Sequence, residues 1–166
     1  MHYAQMRKYD VANGIGIRST LFVSGCTHQC PGCFNTDCRE FDYGMPWTKE
    51  AEDTFLSYIE DENVHGVTIL GGEPMQQTKD DDLLNLLRRI KQETNETIWI
   101  YSGYTYEEIL KEPKRRQILE LCDVLVDGRF VEALKDLKLR FRGSSNQNII
   151  DVQASLTSGE KVLLTF

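Results

Sequence analysis

Four apolar, largely β-branched runs in this chain each close on glycine: "STLFVSG" at 19–25, "GVTILGG" at 66–72, "TIWIYSG" at 97–103 and "DVLVDG" at 123–128. Short runs bounded by glycine or proline are the pattern of buried strands. Helical periodicity fills the intervals. In "PWTKEAEDTFLSYIED" (46–61), Thr48 is placed as N-cap, and Ala51, Phe55, Leu56 and Ile59 share one face. In "KDDDLLNLLRRIKQE" (79–93), Asp80, Asp81 and Asp82 suit the positive end of a helix whose stripe is Leu83, Leu84, Leu87 and Ile90. Two further helical pieces, "YEEILK" and "RRQILELC", are parted by Pro113. Alternation of this length demands right-handed crossovers and a parallel sheet. Weaker signals predict a short helix at "EALKDL" (132–137), another at "SSNQNIIDVQASL" (144–156) and a last strand at "EKVLLTF" (160–166). About five or six strands are too few for an eight-unit barrel. The expected fold is α/β, a partial parallel (β/α) barrel open on one side, with an open doubly wound sheet as the alternative.

The 166 residues fit one domain, 1–166, with no repeat or linker to divide it. A net charge of −7 argues against a nucleic-acid surface, which needs clustered Lys and Arg. "KRR" at 114–116 reads as solvated helix surface, whereas "LKLRFR" at 137–142 could face an acidic partner. No run approaches the roughly 18–20 apolar residues of a membrane span. The N-terminus "MHYAQMRKYD" has no apolar signal region, so cytoplasmic residence is expected.

Strands that end in "SGC", "GGEP", "YSGY" and "VDGR" bring polar and small residues to the carboxyl edge of the sheet, where parallel α/β folds build their sites. The first of these ends carries "SGCTHQCPGCFN" (24–35), with Cys26, Cys30 and Cys33 spaced C-x3-C-x2-C. Clustered cysteines in such a chain point to metal or redox use, not to a disulfide framework. Pro31 and Gly32 bend the loop so that three thiolates can face inward and hold three irons of a cubane cluster. Spacing alone leaves other readings open. Cys38 could close a four-thiolate zinc or electron-transfer site, and His28 could serve zinc or point to solvent. Cys122, alone in "ILELCDVLV", reads as a small buried hydrophobe. "NGIGIR" precedes a strand instead of following one, so it is a poor nucleotide-binding loop.

The cysteine loop followed by "GGEP" resembles the radical S-adenosylmethionine superfamily. With "NGIGIRSTLFVSGCTHQCPGCFN", "IYSGY", "VLVDGRF" and "RGSSNQ", the chain is similar nearly end to end to the activases of anaerobic ribonucleoside-triphosphate reductases. The resemblance implies a radical SAM type partial barrel. It implies a 4Fe-4S cluster on Cys26, Cys30 and Cys33, whose unligated iron is chelated by S-adenosylmethionine. One-electron cleavage of that cofactor would give a 5′-deoxyadenosyl radical, which removes a Cα hydrogen from a glycine of the large anaerobic reductase. The electron would come from reduced flavodoxin or a similar donor.

Cofactor contacts implied by the resemblance fall on Gly71, Gly72 and Glu73 for the methionine part, and on Ser102 and Asp127 for ribose or methionine. Where the superfamily commonly has an aromatic before the third cysteine, this chain has Gly32; adenine contact then falls to Gly32 and Phe34 beside Cys33. Cys38 becomes a bystander. Arg142, Ser144, Ser145, Asn146 and Gln147 are candidates for docking the glycine loop or the cofactor. An activase of another glycyl-radical enzyme, such as pyruvate formate-lyase, is the alternative.

Overall fold

The computed structural model describes residues 1–33 and 36–166. Among these, seven strands form one open sheet: β1 (His2–Asp10), β2 (Arg18–Val23), β3 (Met45–Pro46), β4 (Val67–Gly71), β5 (Ile98–Tyr101), β6 (Val124–Asp127) and β7 (Asn148–Asp151), in the order β3-β1-β2-β4-β5-β6-β7. The four anticipated strands β2, β4, β5 and β6 run parallel and side by side. The flanks are antiparallel: β1 pairs β2 and β3, and β7 pairs β6. The sheet is therefore mixed, larger than the expected five or six strands, and not closed.

Five helices accompany it: α1 (Lys49–Ile59), α2 (Asp82–Glu93), α3 (Tyr106–Leu110), α4 (Pro113–Glu120) and α5 (Val152–Ser158). Thr48 caps α1 as expected, its hydroxyl accepting from the Ala51 N–H at 3.1 Å, worth about 1 kcal/mol. Asp80, not Asp81, takes the Asp82 N–H at the start of α2 (3.0 Å). Thr105 and Glu108 form a reciprocal capping box on α3.

All five helices pack on one face. Leu21, Ile69, Ile100, Leu125 and Ile150 point from alternate strand positions into a core shared with Phe55, Leu87, Ile109, Leu119 and Val152. Strand neighbours in sequence order with helices on a single side constitute one-way winding, which separates this sheet from the doubly wound alternative. The opposite face has loop cover. Trp99, Val124, Val126 and Ile149 meet Tyr101, Phe141 and Leu164 there, and Trp99 lies against the rings of Phe141 and Phe166. The Tyr101 hydroxyl fastens this cover by donating to the Phe141 carbonyl at 2.6 Å.

At the amino edge of the parallel strands, Arg18 is only 2% exposed. Its guanidinium donates to the carbonyls of Ile15, Val67 and Thr97 and to the hydroxyls of Thr68 and Thr97. Burial lowers its pKa to about 10. "NGIGIR" is thus a structural plug, not a phosphate loop.

Three expectations need correction. The segment 144–156 is not one weak helix: Asn148–Asp151 pairs with β6, and Asp151 then caps α5 by accepting from the Ala154 N–H (3.1 Å). "EALKDL" shrinks to a 3-10 turn at Glu132–Leu134. "EKVLLTF" is not a strand but a tail that bridges β7 at Leu163. Its Leu164 N–H donates to the Ile149 carbonyl at 2.7 Å.

Candidate active site

The carboxyl ends of β2, β4, β5 and β6 open into one cleft. Cys26, Cys30 and Cys33 line it together with Gly71–Glu73, Ser102, Gly103 and Gly128. Phe34 lies outside the described residues.

The cysteine loop is bound closely to its surroundings. Gly25, at φ 111°, turns the chain out of β2. Its N–H donates to the Cys38 carbonyl at 2.7 Å, and the Cys26 N–H donates to the Arg39 carbonyl at 2.9 Å. The 3-10 turn Thr36–Arg39 thereby serves as a backstop for the loop, with Cys38 buried in it and absent from the cleft wall. Gly32 adopts φ 73°, and a Cβ there would lie 2.9 Å from the Glu132 carboxyl carbon.

Burial raises the thiol pKa of Cys26 and of Cys30; the His28 N–H bonded to Cys26 and the Phe130 N–H bonded to Cys30 pull back, as do the Arg129 and Arg39 charges near Cys30. Amide donors and cations beside sulfur are what a thiolate-bound metal centre uses to set its potential.

Gly71 and Gly72 bring β4 against β2. A Cβ on Gly72 would sit 2.6 Å from the Cys38 carbonyl oxygen and 2.7 Å from that of Gly25. The Gly72 N–H donates to Val23, and the Glu73 N–H donates to Gly25, both at 2.7 Å. The glycine pair thus docks the cysteine loop itself.

Glu73 is 1% exposed, and four donors occupy its carboxylate. Oε1 takes the Gly103 N–H (2.6 Å) and the His28 ring (2.8 Å). Oε2 takes the Ser102 hydroxyl (2.8 Å) and the Met75 N–H (2.9 Å). Ser102 is accordingly turned toward Glu73, and its Oγ also accepts from the Tyr104 N–H (3.0 Å). Asp127 stands apart from the cysteine cleft. Its carboxylate accepts from the Tyr106 N–H (2.8 Å) and the Asn148 N–H (3.2 Å), tying α3 and β7 to the end of β6. Burial raises its pKa.

The "RGSSNQ" segment folds back on itself under the β6 end. Gln147 accepts from the Gly143 and Ser144 N–H groups and donates to the Gly128 carbonyl. Asn146 donates to the Arg129 carbonyl (2.8 Å), and Arg142 donates to the Ser145 and Gln147 carbonyls. Of the five, Gln147 reaches the cysteine cleft.

Two residues stand elsewhere than the sequence suggested. His28 neither points to solvent nor stands ready for zinc, because both its ring nitrogens are engaged. Arg129 Nε donates to Nδ1 at 3.2 Å, so the ring proton resides on Nε2 and is donated to Glu73. Arg115, read as helix surface, lies 3.8 Å over the Tyr104 ring and donates to the Tyr104 hydroxyl at 2.9 Å. Both contacts span many residues, and no local pattern announces them.

The donor set matches a cluster in kind. Three free thiols from one loop line one cleft, and the fourth nearby cysteine, Cys38, is buried and does not line it. Among the described residues, no three His, Cys, Asp or Glu side chains converge as ligands of a single ion. A cubane, which takes one thiolate per iron, asks for no such convergence.

Comparison with known proteins reaches the same place. A family model described as a 4Fe-4S single cluster domain matches residues 12–150. A Salmonella typhimurium protein is 43% identical over 150 residues, 89% of this chain and 96% of that relative. An Escherichia coli K12 protein is 41% identical with the same coverage. One from bacteriophage T4 is 33% identical over 90% of this chain and 93% of its own length. All three bear the name anaerobic ribonucleoside-triphosphate reductase-activating protein. By identity and coverage together, the chain belongs to that family of activating proteins.

Proposed function

We propose that this chain, acting as one unit over residues 1–166, is a radical S-adenosylmethionine activase that installs a glycyl radical on an anaerobic ribonucleoside-triphosphate reductase. The observation that carries the reading is a loop presenting three thiols to a cleft while Cys38 is buried behind it. Cys26, Cys30 and Cys33 would hold a 4Fe-4S cluster and leave one iron for S-adenosylmethionine. When bound, that pair supplies reductive C–S cleavage to methionine and a 5′-deoxyadenosyl radical, the oxidant for a glycine Cα–H.

This chain's own part is placement and exclusion. Backbone at Gly71 and Gly72 is the candidate rest for the methionine part, with Gly32 and Phe34 candidates beside Cys33. Glu73 and Ser102 act by holding the strand ends together, since their polar atoms already bind one another. Asp127 fixes the β6 end from the far side. One-way winding of β2, β4, β5 and β6, with the opposite face free of helices, supports a partial-barrel reading of the radical SAM type. The electron donor is taken to be reduced flavodoxin or a similar protein. Cytoplasmic residence is part of this proposal; among the described residues no helix is long and apolar enough to cross a membrane.

Anaerobic reconstitution with iron and sulfide tests the reading. C26A, C30A and C33A are expected to lose the cluster's electron paramagnetic resonance signal, and C38A to keep it. With the reductase, S-adenosylmethionine and a reductant, the parent and C38A should then yield a glycyl radical. Loss of the cluster in C38A, or full activity in C30A, would end the proposal.

A further inference from the structure

We infer that His28 is a positioning residue: one buried imidazole, bonded to Glu73 and Arg129, holds the middle of the cysteine loop against three other strand ends.

His28 sits midway between Cys26 and Cys30, and its side chain is 5% exposed. Nε2–H donates to Glu73 beyond β4 (2.8 Å), and Nδ1 accepts from Arg129 beyond β6 (3.2 Å). Beyond β5, the Tyr104 ring meets the imidazole edge-on with centroids 4.6 Å apart. Gly103 leaves it room, since a Cβ there would stand 2.7 Å from the imidazole carbon. Tyr104 is itself pinned, its hydroxyl accepting from Gln76 and Arg115, both at 2.9 Å. Gln76 also grips the loop: its Oε1 accepts from the Thr27 N–H (3.0 Å) and its Nε2 donates to the Thr27 hydroxyl (2.7 Å).

The loop needs this hold. Gln29, next to His28, has φ 53°, a left-handed conformation that disfavours non-glycine residues. Among the described residues of the loop, the Cys33 N–H donates to the Cys30 carbonyl (3.1 Å) and the His28 N–H to the Cys26 sulfur. A segment with so little bonding of its own opens readily unless it is tied elsewhere. Through His28 the tie passes to Glu73, whose remaining donors lie on the β4 and β5 ends. The same ring fixes the Arg129 guanidinium beside the loop, where Arg129, His28 and Cys30 line one hollow. A cation there favours the more reduced, more negative state of a bound cluster.

Loop positioning stands on the geometry alone; only the effect on the cluster rests on the proposed function. The full-length parent is compared with H28A, H28Q and R129A. Without iron, amide exchange at Thr27, Cys33 and Gly103 is expected to be about tenfold faster in H28A. H28Q, whose side-chain amide still donates to Glu73, returns exchange to near the parent rate. After reconstitution, H28A takes up less iron than the parent and H28Q recovers it. R129A keeps its iron but shows a lower cluster midpoint potential, a change that a purely structural role would not produce. Exchange in H28A equal to the parent's, or H28Q as defective as H28A, overturns the inference; an unmoved R129A potential overturns its electrostatic half. Should H28A fail to fold, His28→Leu replaces it, and parent-like exchange in that variant is equally fatal. If the parent takes up no iron, the cluster reading fails, and the exchange comparison still decides the role of His28.

Discussion

Replacing Gly72 with alanine adds one methyl group at the seam between β4 and the cysteine loop. Gly72 has no left-handed φ, so the cost is one of space. The new Cβ would lie 2.6 Å from the Cys38 oxygen, 2.7 Å from the Gly25 oxygen and 2.9 Å from the Gly25 nitrogen, against an ordinary contact of at least 3.4 Å. All three are backbone atoms, which cannot swing aside as a side chain would. Relief must move Gly25 away from Gly72 and strain two 2.7 Å bonds, Gly25 N–H to Cys38 and Glu73 N–H to Gly25. Overpacking costs about 1–3 kcal/mol, and weakening each buried bond up to about 1 kcal/mol. A total of about 2–4 kcal/mol corresponds to a Tm lower by about 5–15 °C for a chain of this size. Gly159→Ala is the comparison. Gly159 ends α5 at φ 79° with nothing within 4 Å of a Cβ, so only backbone strain of about 1–2 kcal/mol applies. Thermal unfolding by circular dichroism, read beside iron uptake after reconstitution, measures both. The reasoning is refuted if G72A melts within about 2 °C of the parent, or above G159A.

Arg18→Ala should cost about 3–5 kcal/mol in urea unfolding, because three strand and loop carbonyls lose a buried donor. Arg18→Lys, with one nitrogen for three, should recover only part of that. Asp61 has its pKa lowered to about 2, first by the Asn63 N–H and then by Tyr9 and Lys8. A carboxylate depressed in the folded state stabilises above its unfolded pKa of 3.8, and that contribution disappears as pH falls through about 2. Denaturation curves between those values should therefore show a shallower pH dependence for D61N than for the parent; equal slopes would discount the assignment.

The legible part of this fold was the part whose signal is local and apolar. Phe55, Leu87 and Ile100 sit in the core because periods of 3.6 and 2 place them there. The N-terminal strand was invisible: in "HYAQMRKYD" the residues alternate between partly covered and exposed, so neither side reads as apolar. Asn148–Asp151 was misread because two isoleucines adjoin a true helix start, and only pairing with β6 makes them a strand. Within the site, the cysteines and glycines announced themselves through spacing. Their partners did not. Glu73 reaches His28 across 45 residues and Arg129 reaches it across 101, separations at which sequence pattern carries no geometric information.

Because the helices all lie to one side, the two surfaces of the sheet differ in mechanical character. One is backed by a layer of interlocked aliphatic side chains; the other is closed by connecting segments around Phe141, Leu164 and Phe166, which Tyr101 fastens through the Phe141 carbonyl. Helices thus shield one side of a single layer of strands, and loops and the C-terminal tail shield the other.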